Sequence, residues 1–459
     1  MNKTMRGTFY QYVIPSMLAF ALSGVYSIVD GFFVGNSIGD HGLAAINMAY
    51  PLTALIQSAG TGIGMGGAVQ YSICDGAGEH KKKYQYFSGS MILLLAASFL
   101  LTAVILAGGP TLLKLFGARG EIFDLGAEYI RFIALGTIFQ MFGTGLVPFI
   151  RNMGGVIAAM AAMIAGFVTN MILDYVLVWV LPYGIAGAAV ATVIGQAVTL
   201  AVCLGYLLLR KTKVLVSIKD SWKSVTKEVL LVAISPFGLA FSPNITLILV
   251  NRSAATYGGD QAVTTYATIS YVAWVVLALL QGISDGCQPL LSICHGEGDQ
   301  KKVRQIRNMG YRFAAAVSLV CMGMLYLIRY HVALLFGASL STVENTGQVL
   351  PVFIAGFLFI SFARVTTAYF YATAKNVLAY LVIYGESFLL FVFLMICPTV
   401  LGITGTWVSV PLSQIAVMLL SVFLLSCLKK KSGNTNVWGK KKLTNRAKIG
   451  MINANISTS

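Results

Sequence analysis

Two copies of one short segment, 220 residues apart, decide the fold of this chain. Residues 72 to 82 read SICDGAGEHKK and residues 292 to 302 read SICHGEGDQKK, so seven of the eleven positions are identical. Further pairs share this spacing to within two residues: Gly39-Asp40 with Gly259-Asp260, Leu115 to Ala118 with Leu335 to Ala338, and Gly184-Ile185 with Gly402-Ile403. We infer that the chain is a tandem duplication of a unit of about half its length.

The composition places both copies in a membrane. Hydrophobic residues make up 57% of the chain, charged residues make up 10%, and the mean hydropathy is +0.79. A soluble protein carries roughly 25% charged residues. The apolar runs are continuous rather than alternating, which predicts helices and not barrel strands. Twelve of them approach the roughly 20 residues that a membrane-spanning helix needs: 9–34, 43–71, 87–108, 126–149, 155–180, 185–209, 228–255, 262–292, 309–330, 346–371, 377–400 and 403–428.

The number of spans in each half fixes how the halves are related. Six is even, so the second half enters the membrane from the same side as the first, and the two repeats run parallel. The sequence therefore predicts an all-α integral membrane protein of twelve helices in two six-helix repeats. The predicted parts are a first lobe, a linker, a second lobe and a basic tail without regular structure, at 1–210, 211–227, 228–428 and 429–459.

The basic residues predict the orientation. Of the 32 lysines and arginines, 26 lie in the N-terminal segment, the even-numbered connections and the tail. The positive-inside rule then places both termini in the cytoplasm and the chain in the plasma membrane as a multi-pass protein. These loops also account for the net charge of +16. Attraction to anionic membrane lipids explains that charge, and no nucleic-acid partner is expected.

A small group of polar residues lies inside the predicted spans of the first half. Ionisable groups there cost about 2.5 to 3.5 kcal/mol each, so those that persist are candidates for function. Asp30 lies in the first span and Asp174 in the fifth. Asn170 precedes Asp174 by four residues, which puts both on one helix face, and Thr192 adds a hydroxyl from the sixth span. Two carboxylates in low dielectric share a proton or bind a cation.

The second half serves as an internal control for this group. Offsets of 218 to 221 pair Asn170 with Phe388, Asp174 with Val392, and Asp30 with Val250 or Asn251. The oxygen-rich group thus occurs in one half, which favours a functional role. Hydrogen bonding that merely joins helices is the alternative for the two aspartates.

Other polar residues in the spans leave alternatives open. Glu386, in the eleventh span, is either a coupling or substrate-binding carboxylate or a residue hydrogen-bonded within the bundle. Asp285 lies near the cytoplasmic end of the eighth span, where solvation or capping competes with transport chemistry. Arginines near span ends are expected to extend to the interface rather than pair with these acids: Arg131, Arg252 and Arg364.

Proline and glycine suggest two backbone features. Pro15 lies in the first span and removes a backbone hydrogen bond, so it predicts either a kink that responds to the state of Asp30 or a packing adjustment. The repeated glycine-rich segments lack the spacing of a phosphate-binding loop. They are expected instead to turn the chain out of long helices, at Gly76, Gly78, Gly296 and Gly298.

Taken together, residues 1 to 428 resemble the multidrug and toxic compound extrusion (MATE) family. The resemblance rests on the two parallel sets of six spans, the repeated basic loop, the segment Gln288 to Leu291, and the arrangement of Asp30, Asn170 and Asp174. It implies that a proton or cation, Na⁺ included, is coupled at four residues and that Pro15 is the bending proline: Asp30, Asn170, Asp174 and Thr192. Asn251 and Phe388 depart from the subgroup that also has acidic ligands in the second lobe.

The resulting hypothesis is a secondary antiporter that exports amphipathic, often cationic, organic compounds by using inward H⁺ or Na⁺ movement. We expect a monomer in contact with membrane lipids, and no resident cofactor. Candidate residues for the substrate cavity are Tyr26, Met48, Tyr50, Met141, Phe142 and Glu386. A flippase for lipid-linked precursors is the alternative and would need a basic central cavity, which arginines near span ends do not supply. An enzyme would need a catalytic constellation, and none is recognisable in the sequence.

Overall fold

The computed structural model describes residues 3–211, 221–336 and 339–456, without the side chains of residues 3, 4, 27, 40 and 430–456. This part of the chain contains helices and no strand, as predicted. The α-helices are α1 Lys3–Gly76, α2 His80–Leu115, α3 Gly120–Leu135, α4 Thr137–Asn152, α5 Val156–Asp174, α6 Gly184–Leu209, α7 Trp222–Gly296, α8 Gln300–Ile328, α9 Leu340–Ile354, α10 Phe357–Ala372, α11 Asn376–Leu401 and α12 Ile403–Ile456. A π-helix follows α5 at Tyr175–Val180, and a 3₁₀ helix precedes α9 at Ala333–Phe336.

The two longest helices, α1 and α7, are each divided by a glycine. Gly39 has φ 78° and ψ −166°, and Gly259 has φ 64° and ψ −161°, values that interrupt the helix and that side-chain-bearing residues rarely adopt. A straight helix of the 74 residues in α1 would be about 110 Å long, against a hydrocarbon core of about 30 Å. Each helix is therefore two spans joined at equivalent glycines, as the repeat predicts.

Two further spans are bent. The axes of α3 and α4 meet at 58°, and those of α9 and α10 at 44°. In the described part of the chain, eight helices are long and apolar enough to cross a membrane, or ten if each bent pair is one span. One of the eight is α1 up to Gly39. The twelve predicted spans would be reached if the remainder of α1 and both parts of α7, divided at Gly259, were also counted as spans. We call α1–α6 the first lobe and α7–α12 the second lobe.

The ends of the lobes differ from the predicted boundaries. Helix α7 begins at Trp222, inside the predicted linker, of which 212–220 lie outside the described residues. Helix α12 continues to Ile456, whereas the sequence predicted an irregular tail from residue 429. No proline follows Pro411, so nothing in that stretch removes a backbone donor from the helix.

Each lobe has its own apolar core, and each core includes the start of the other lobe. Phe9 and Val13 of α1 are fully buried in the core of the second lobe, while Val225 and Val229 of α7 are buried in that of the first. The contact between α1 and α7 is the most extensive between any two described elements. It holds the lobes together near the lysine-rich loops 81–83 and 301–302, and we call that end of the bundle the basic end.

Candidate ion site and central cavity

The four residues predicted to couple an ion lie together inside the first lobe. Asp174, in the last turn of α5, is fully buried, and Asp30 of α1 lies close enough for the two carboxyl groups to interact directly. Asn170 is one turn before Asp174 and is 3% exposed. Its Nδ2 lies 3.5 Å from Oγ1 of Thr192, which projects from α6. The structure therefore brings side chains from three helices to one point.

Three buried oxygen atoms at this point accept no hydrogen bond from the described residues. Both carboxyl oxygens of Asp174 and the Oδ1 atom of Asn170 have no hydrogen-bond partner among the described residues. A carboxylate accepts hydrogen bonds and cannot donate them, so Asp30 does not satisfy Asp174 unless one of the two is protonated. Repulsion between like charges in low dielectric favours a shared proton or a bound cation. Among the described residues there is no cluster of three or more His, Cys, Asp or Glu, so any cation would also use the amide and hydroxyl oxygens.

Two tyrosines complete the site. The hydroxyls of Tyr26 and Tyr129 both lie beside Thr192 and close to the two carboxyl groups. The ring of Tyr26 stacks on Phe167 with centroids 5.1 Å apart. Tyr26 was predicted to line the substrate cavity, and Tyr129 was not among the predicted site residues. The position of Tyr129, a phenol inside the predicted span 126–149, could have indicated it from the sequence.

A π-helix directly follows Asp174 and marks a difference between the repeats. From Asp174 to Gly184 the chain advances ten residues, but in the second lobe the stretch from Leu394 to Gly402 advances eight. Gly184 and Gly402 are equivalent, since both have φ near 60° and lie at the start of a helix, Gly184 as the first residue of α6 and Gly402 directly before α12. The wider turns of Tyr175–Val180 accommodate the two additional residues. Such π-helical insertions often lie at functional sites.

This insertion corrects the register of the repeat in α5 and α11. The buried faces match at an offset of 220, so that Asn170 corresponds to Leu390 and Asp174 to Leu394. The counterparts predicted from sequence, Phe388 and Val392, are therefore wrong, and Phe388 is 65% exposed and faces away from the lobe core. On the same basis Glu386 corresponds to Gly166 rather than to Val168. The counterparts of the four ion-site residues are all buried and apolar: Val250, Leu390, Leu394 and Val410.

A central cavity of about 210 Å³ lies between the lobes. Its aromatic lining comes from both lobes and includes Phe20, Tyr50, Phe167 and Trp274. Its polar lining includes amide and charged side chains that the sequence analysis did not identify as cavity residues: Gln57, Gln196, Asn244, Gln281, Arg151, Asp285 and Arg364.

The predicted cavity residues are dispersed. Tyr50 lines the cavity, but Met141 is fully buried in the core of the first lobe, and Met48 and Phe142 pack against that core. Glu386 is not among the lining residues and pairs with Arg364. The spans contain many aromatic and Met residues, and which of them face the cavity depends on the rotation of each helix.

Two ion pairs lie where the sequence analysis expected solvated charges. Arg151, counted as a loop residue, is 2% exposed, and its Nη1 is 3.3 Å from Oδ2 of Asp285. Arg364, expected to extend to the interface, is 6% exposed and lies 3.4 Å from a carboxyl oxygen of Glu386. Asp285 is itself 5% exposed and is not a solvated capping residue. Each cation is buried because a carboxylate neutralises it.

Equivalent glycines bring the lobes into close contact at the basic end. A Cβ atom on Gly76 would lie 2.1 Å from the carbonyl oxygen of Ile293, and one on Gly296 would lie 2.1 Å from that of Ile73. Gly66 and its counterpart Gly286 make a similar reciprocal contact between the lobes, in which Gly66 lies against Val229. Small residues let helix backbones approach closely inside a membrane. The described structure is therefore closed at the basic end.

Helix α1 runs through Pro15 without a break. The one non-helical residue inside α1 is Gly39, 24 residues further along the chain. The backbone therefore stays helical at Pro15 in this conformation, and the kink and the role of Pro15 as a hinge stay predictions.

Comparison with known proteins bears on both halves of the chain. The MatE family matches twice, over residues 15–176 and 237–397. The chain is 22% identical over 422 residues to the multidrug export protein MepA of Staphylococcus haemolyticus, covering 92% of this chain and 93% of that protein. It is 24% identical over 420 residues to MepA of Staphylococcus aureus, covering 90% and 92%.

Solved structures show the same fold. The outward-facing conformation of a multidrug resistance MATE family transporter of the MOP superfamily superimposes with a TM-score of 0.84 at 22% identity, over 92% of this chain and 96% of that one. A MOP superfamily transporter from Pyrococcus furiosus, described as having a binding pocket of reverse polarity, superimposes with a TM-score of 0.87 at 21% identity, over 93% and 96%. The predicted fold class and family resemblance are thus confirmed, and the chain belongs to the MatE family of membrane transporters.

Proposed function

We propose that this chain is a secondary antiporter that exports amphipathic organic compounds, cationic ones included, in exchange for inward H⁺ or Na⁺. The observation that carries the proposal is the buried pair Asp30 and Asp174, in which both oxygens of Asp174 accept no hydrogen bond from the described residues. A pair of this kind has a strong tendency to take up a positive charge, and it lies in one lobe of a protein whose lobes meet at a central cavity. Its relatives include multidrug exporters.

The orientation follows from charge. We place the basic end in the cytoplasm, since lysines and arginines accumulate in cytoplasmic loops. The described conformation, closed at the basic end, is then closed to the cytoplasm. An ion that enters from outside reaches Asp30 and Asp174 and removes their mutual repulsion. Coupling requires that the occupied site and the bound cargo favour different conformations.

A flippase for lipid-linked precursors fits the cavity less well. Two arginines do line the cavity, contrary to the expectation from sequence, and a pyrophosphate group would need such cations. Each of them is already paired with a carboxylate, Arg151 with Asp285 and Arg364 with Glu386. These pairs leave no excess of positive charge for a phosphorylated cargo.

The test is export by purified protein in liposomes under separately imposed H⁺ and Na⁺ gradients. We expect one gradient to drive efflux of a fluorescent cationic dye. Asp30→Asn and Asp174→Asn should each reduce gradient-driven efflux by about tenfold or more, because one fewer carboxylate removes the charge that attracts the ion. Matched thermal unfolding curves would show that the variants remain folded. Undiminished efflux by both variants would contradict the proposal.

A further inference from the structure

Asp285 differs from the other described acidic residues in that its side chain lines the central cavity. It is the only acidic side chain among the described residues that line the cavity. Asp30, Asp174 and Glu386 are not part of the lining. A positively charged group that enters the cavity therefore meets one carboxylate there, and it belongs to the second lobe.

The partners of Asp285 come from both lobes. Its Oδ1 atom accepts hydrogen bonds from Nε2 of Gln281 at 2.8 Å and from the hydroxyl of Tyr371 at 3.3 Å, and both of these residues belong to the second lobe. Its one cationic partner in the described structure is Arg151, in the last turn of α4 in the first lobe. The same Nη1 atom of Arg151 also donates to the backbone oxygen of Asp285 at 3.4 Å.

The next residue in α4 makes a parallel contact. Asn152 and Gln288 exchange two hydrogen bonds across the lobe interface, at 2.8 and 3.1 Å. If the lobes part, each of these amides keeps a partner in its own lobe: Asn152 with Ser72 at 2.6 Å, and Gln288 with Ser292 at 2.9 Å. Asp285 would keep its two neutral donors and lose its cation. Parting the lobes thus separates the two charges: Arg151 stays on the first lobe, and the Asp285 carboxylate of the second lobe is left in need of a positive charge.

We propose that the Asp285 carboxylate alternates between two cations, Arg151 when the basic end is closed and the positively charged group of the cargo when it is open. The proposal rests on the function proposed above and adds a cargo-binding residue and a means of release. In the open state the carboxylate is accessible in the cavity, and an unpaired buried charge strongly favours a cationic ligand. On closure Arg151 returns on α4 and replaces the cargo cation.

The size of the cavity agrees with this sequence of events. With Arg151 in place the cavity measures about 210 Å³, below the range of about 300 to 1,000 Å³ that drug-sized ligands occupy. The closed conformation therefore corresponds to a state from which cargo has been displaced. Phe20 lies against Arg151, with the guanidinium 5.7 Å from its ring centroid, and positions the arginine at the cavity wall.

The test compares two probes that differ in charge. Tetraphenylphosphonium is a cation, and triphenylphosphine oxide is an uncharged analogue. Their equilibrium binding to the purified full chain is measured without any ion gradient, so that a failure of ion coupling does not affect the result. We expect Asp285→Asn to weaken tetraphenylphosphonium binding by about tenfold or more and to leave binding of the neutral probe within about twofold. Arg151→Gln should strengthen tetraphenylphosphonium binding, because the competing cation is gone.

A double variant controls for misfolding caused by an unpaired charge. Asp285→Asn with Arg151→Gln leaves no buried charge unpaired, and it should bind the cation as weakly as the single Asp285 variant. Glu386→Gln provides the comparison, since Glu386 is 15% exposed and also paired with an arginine but does not line the cavity. Equal losses for both probes, weaker cation binding by Arg151→Gln, or a loss of charge selectivity in Glu386→Gln instead of the Asp285 variants would overturn the proposal. Efflux assays on the Asp30 and Asp174 variants decide the antiport proposal independently.

Discussion

At the scale of single residues, the two lobes differ most where α5 packs against α1 and α6. Asp174 and Asn170 are buried in the first lobe with acceptor atoms that no donor among the described residues satisfies. Their counterparts Leu394 and Leu390 are buried in the second lobe and need no partners. Burying polar groups without partners costs several kcal/mol, so the first lobe maintains an arrangement that apolar residues would stabilise better. That cost is the physical argument for function at Asp174.

This asymmetry predicts that a carboxylate introduced in the second lobe cannot replace that of Asp174. We expect Leu394→Asp in an Asp174→Asn background to leave gradient-driven dye efflux at the level of the single variant. The counterparts of the other three ion-site residues, Val250, Leu390 and Val410, have no side-chain oxygen, so a buried aspartate at residue 394 would be neutral or would destabilise the lobe by several kcal/mol. The measurement is efflux from liposomes alongside thermal unfolding, with wild-type protein as the reference. Efflux restored to near the wild-type level would show that the coupling site is not confined to the first lobe.

At the scale of elements, closure of the basic end depends on helices that approach with no side chain between them. Gly76, at the end of α1, lies against the backbone of α7, and Gly296, at the end of α7, lies against the backbone of α1. The repeat places both glycines at equivalent positions, so the contact is symmetric. The ion site and the π-helix that follows it have no such symmetry. Closure is therefore built from the shared scaffold, whereas ion coupling belongs to one lobe.

Adding side chains at these glycines should prevent closure. Gly76→Val and Gly296→Val each place a Cβ atom about 2.1 Å from a backbone carbonyl oxygen of the other lobe, and backbone cannot move aside as a flexible side chain can. We expect each variant to insert and fold but to lose dye efflux by about tenfold or more, since the cycle cannot pass through the closed state. Gly108→Val is the matched control, because a Cβ atom there meets nothing within 4 Å. Equal efflux by all three variants would contradict the prediction.

A second prediction at this scale concerns Pro15. If α1 bends when Asp30 and Asp174 lose their ion, Pro15→Ala should reduce dye efflux by a few-fold and retain most of the ion affinity. The substitution restores a backbone hydrogen bond and stiffens the helix without removing a ligand. Its effect on efflux should be smaller than that of Asp30→Asn. Ion binding and efflux measured on the same preparation decide the matter, and loss of both or full retention of both would reject Pro15 as the hinge.

At the scale of the whole molecule, the start of the first helix of each lobe packs in the core of the other lobe. Phe9 and Val13 lie in the core of the second lobe, and Val225 and Val229 lie in that of the first. This reciprocal packing lies toward the basic end and makes that end the more tightly joined. The cavity between the lobes lies next to this packed region, with Arg151 and Asp285 at the boundary. Opening at the basic end thus requires a concerted movement of both lobes.

The proposed orientation predicts which loops a reagent can reach. In a background without the seven native cysteines, Arg119→Cys should react with a membrane-impermeant maleimide in intact cells. Lys301→Cys should react only after the cells are permeabilised. Both positions are exposed and lie in or beside short connections at opposite ends of the bundle, so access to the reagent rather than burial determines labelling. Labelling in the reverse order would place the basic end outside the cell.

The sequence by itself determined the features that repeat or that follow from composition. The duplication located the glycines that divide α1 and α7, because a break needs a residue that tolerates positive φ. The grouping of Asp30, Asn170, Asp174 and Thr192 was also predicted, since Asp30 and Asp174 are the only acidic residues in the predicted spans 9–34, 155–180 and 185–209. The π-helix was not predicted, and its two additional residues displaced the register of the repeat in α11.

Only the tertiary structure decided which side chains meet across the lobes. Arg151 and Asp285 are 134 residues apart in sequence, and neither has a local pattern that indicates the other. Arg151 and Arg364 were expected to be solvated because they lie close to the ends of predicted spans. The bends of 58° and 44°, however, change which residues the lobes enclose. Met141 and Tyr50 likewise could not be separated as core and cavity residues. Periodicity assigns a residue to a face of its helix, and the rotation and tilt of that helix determine what the face contacts.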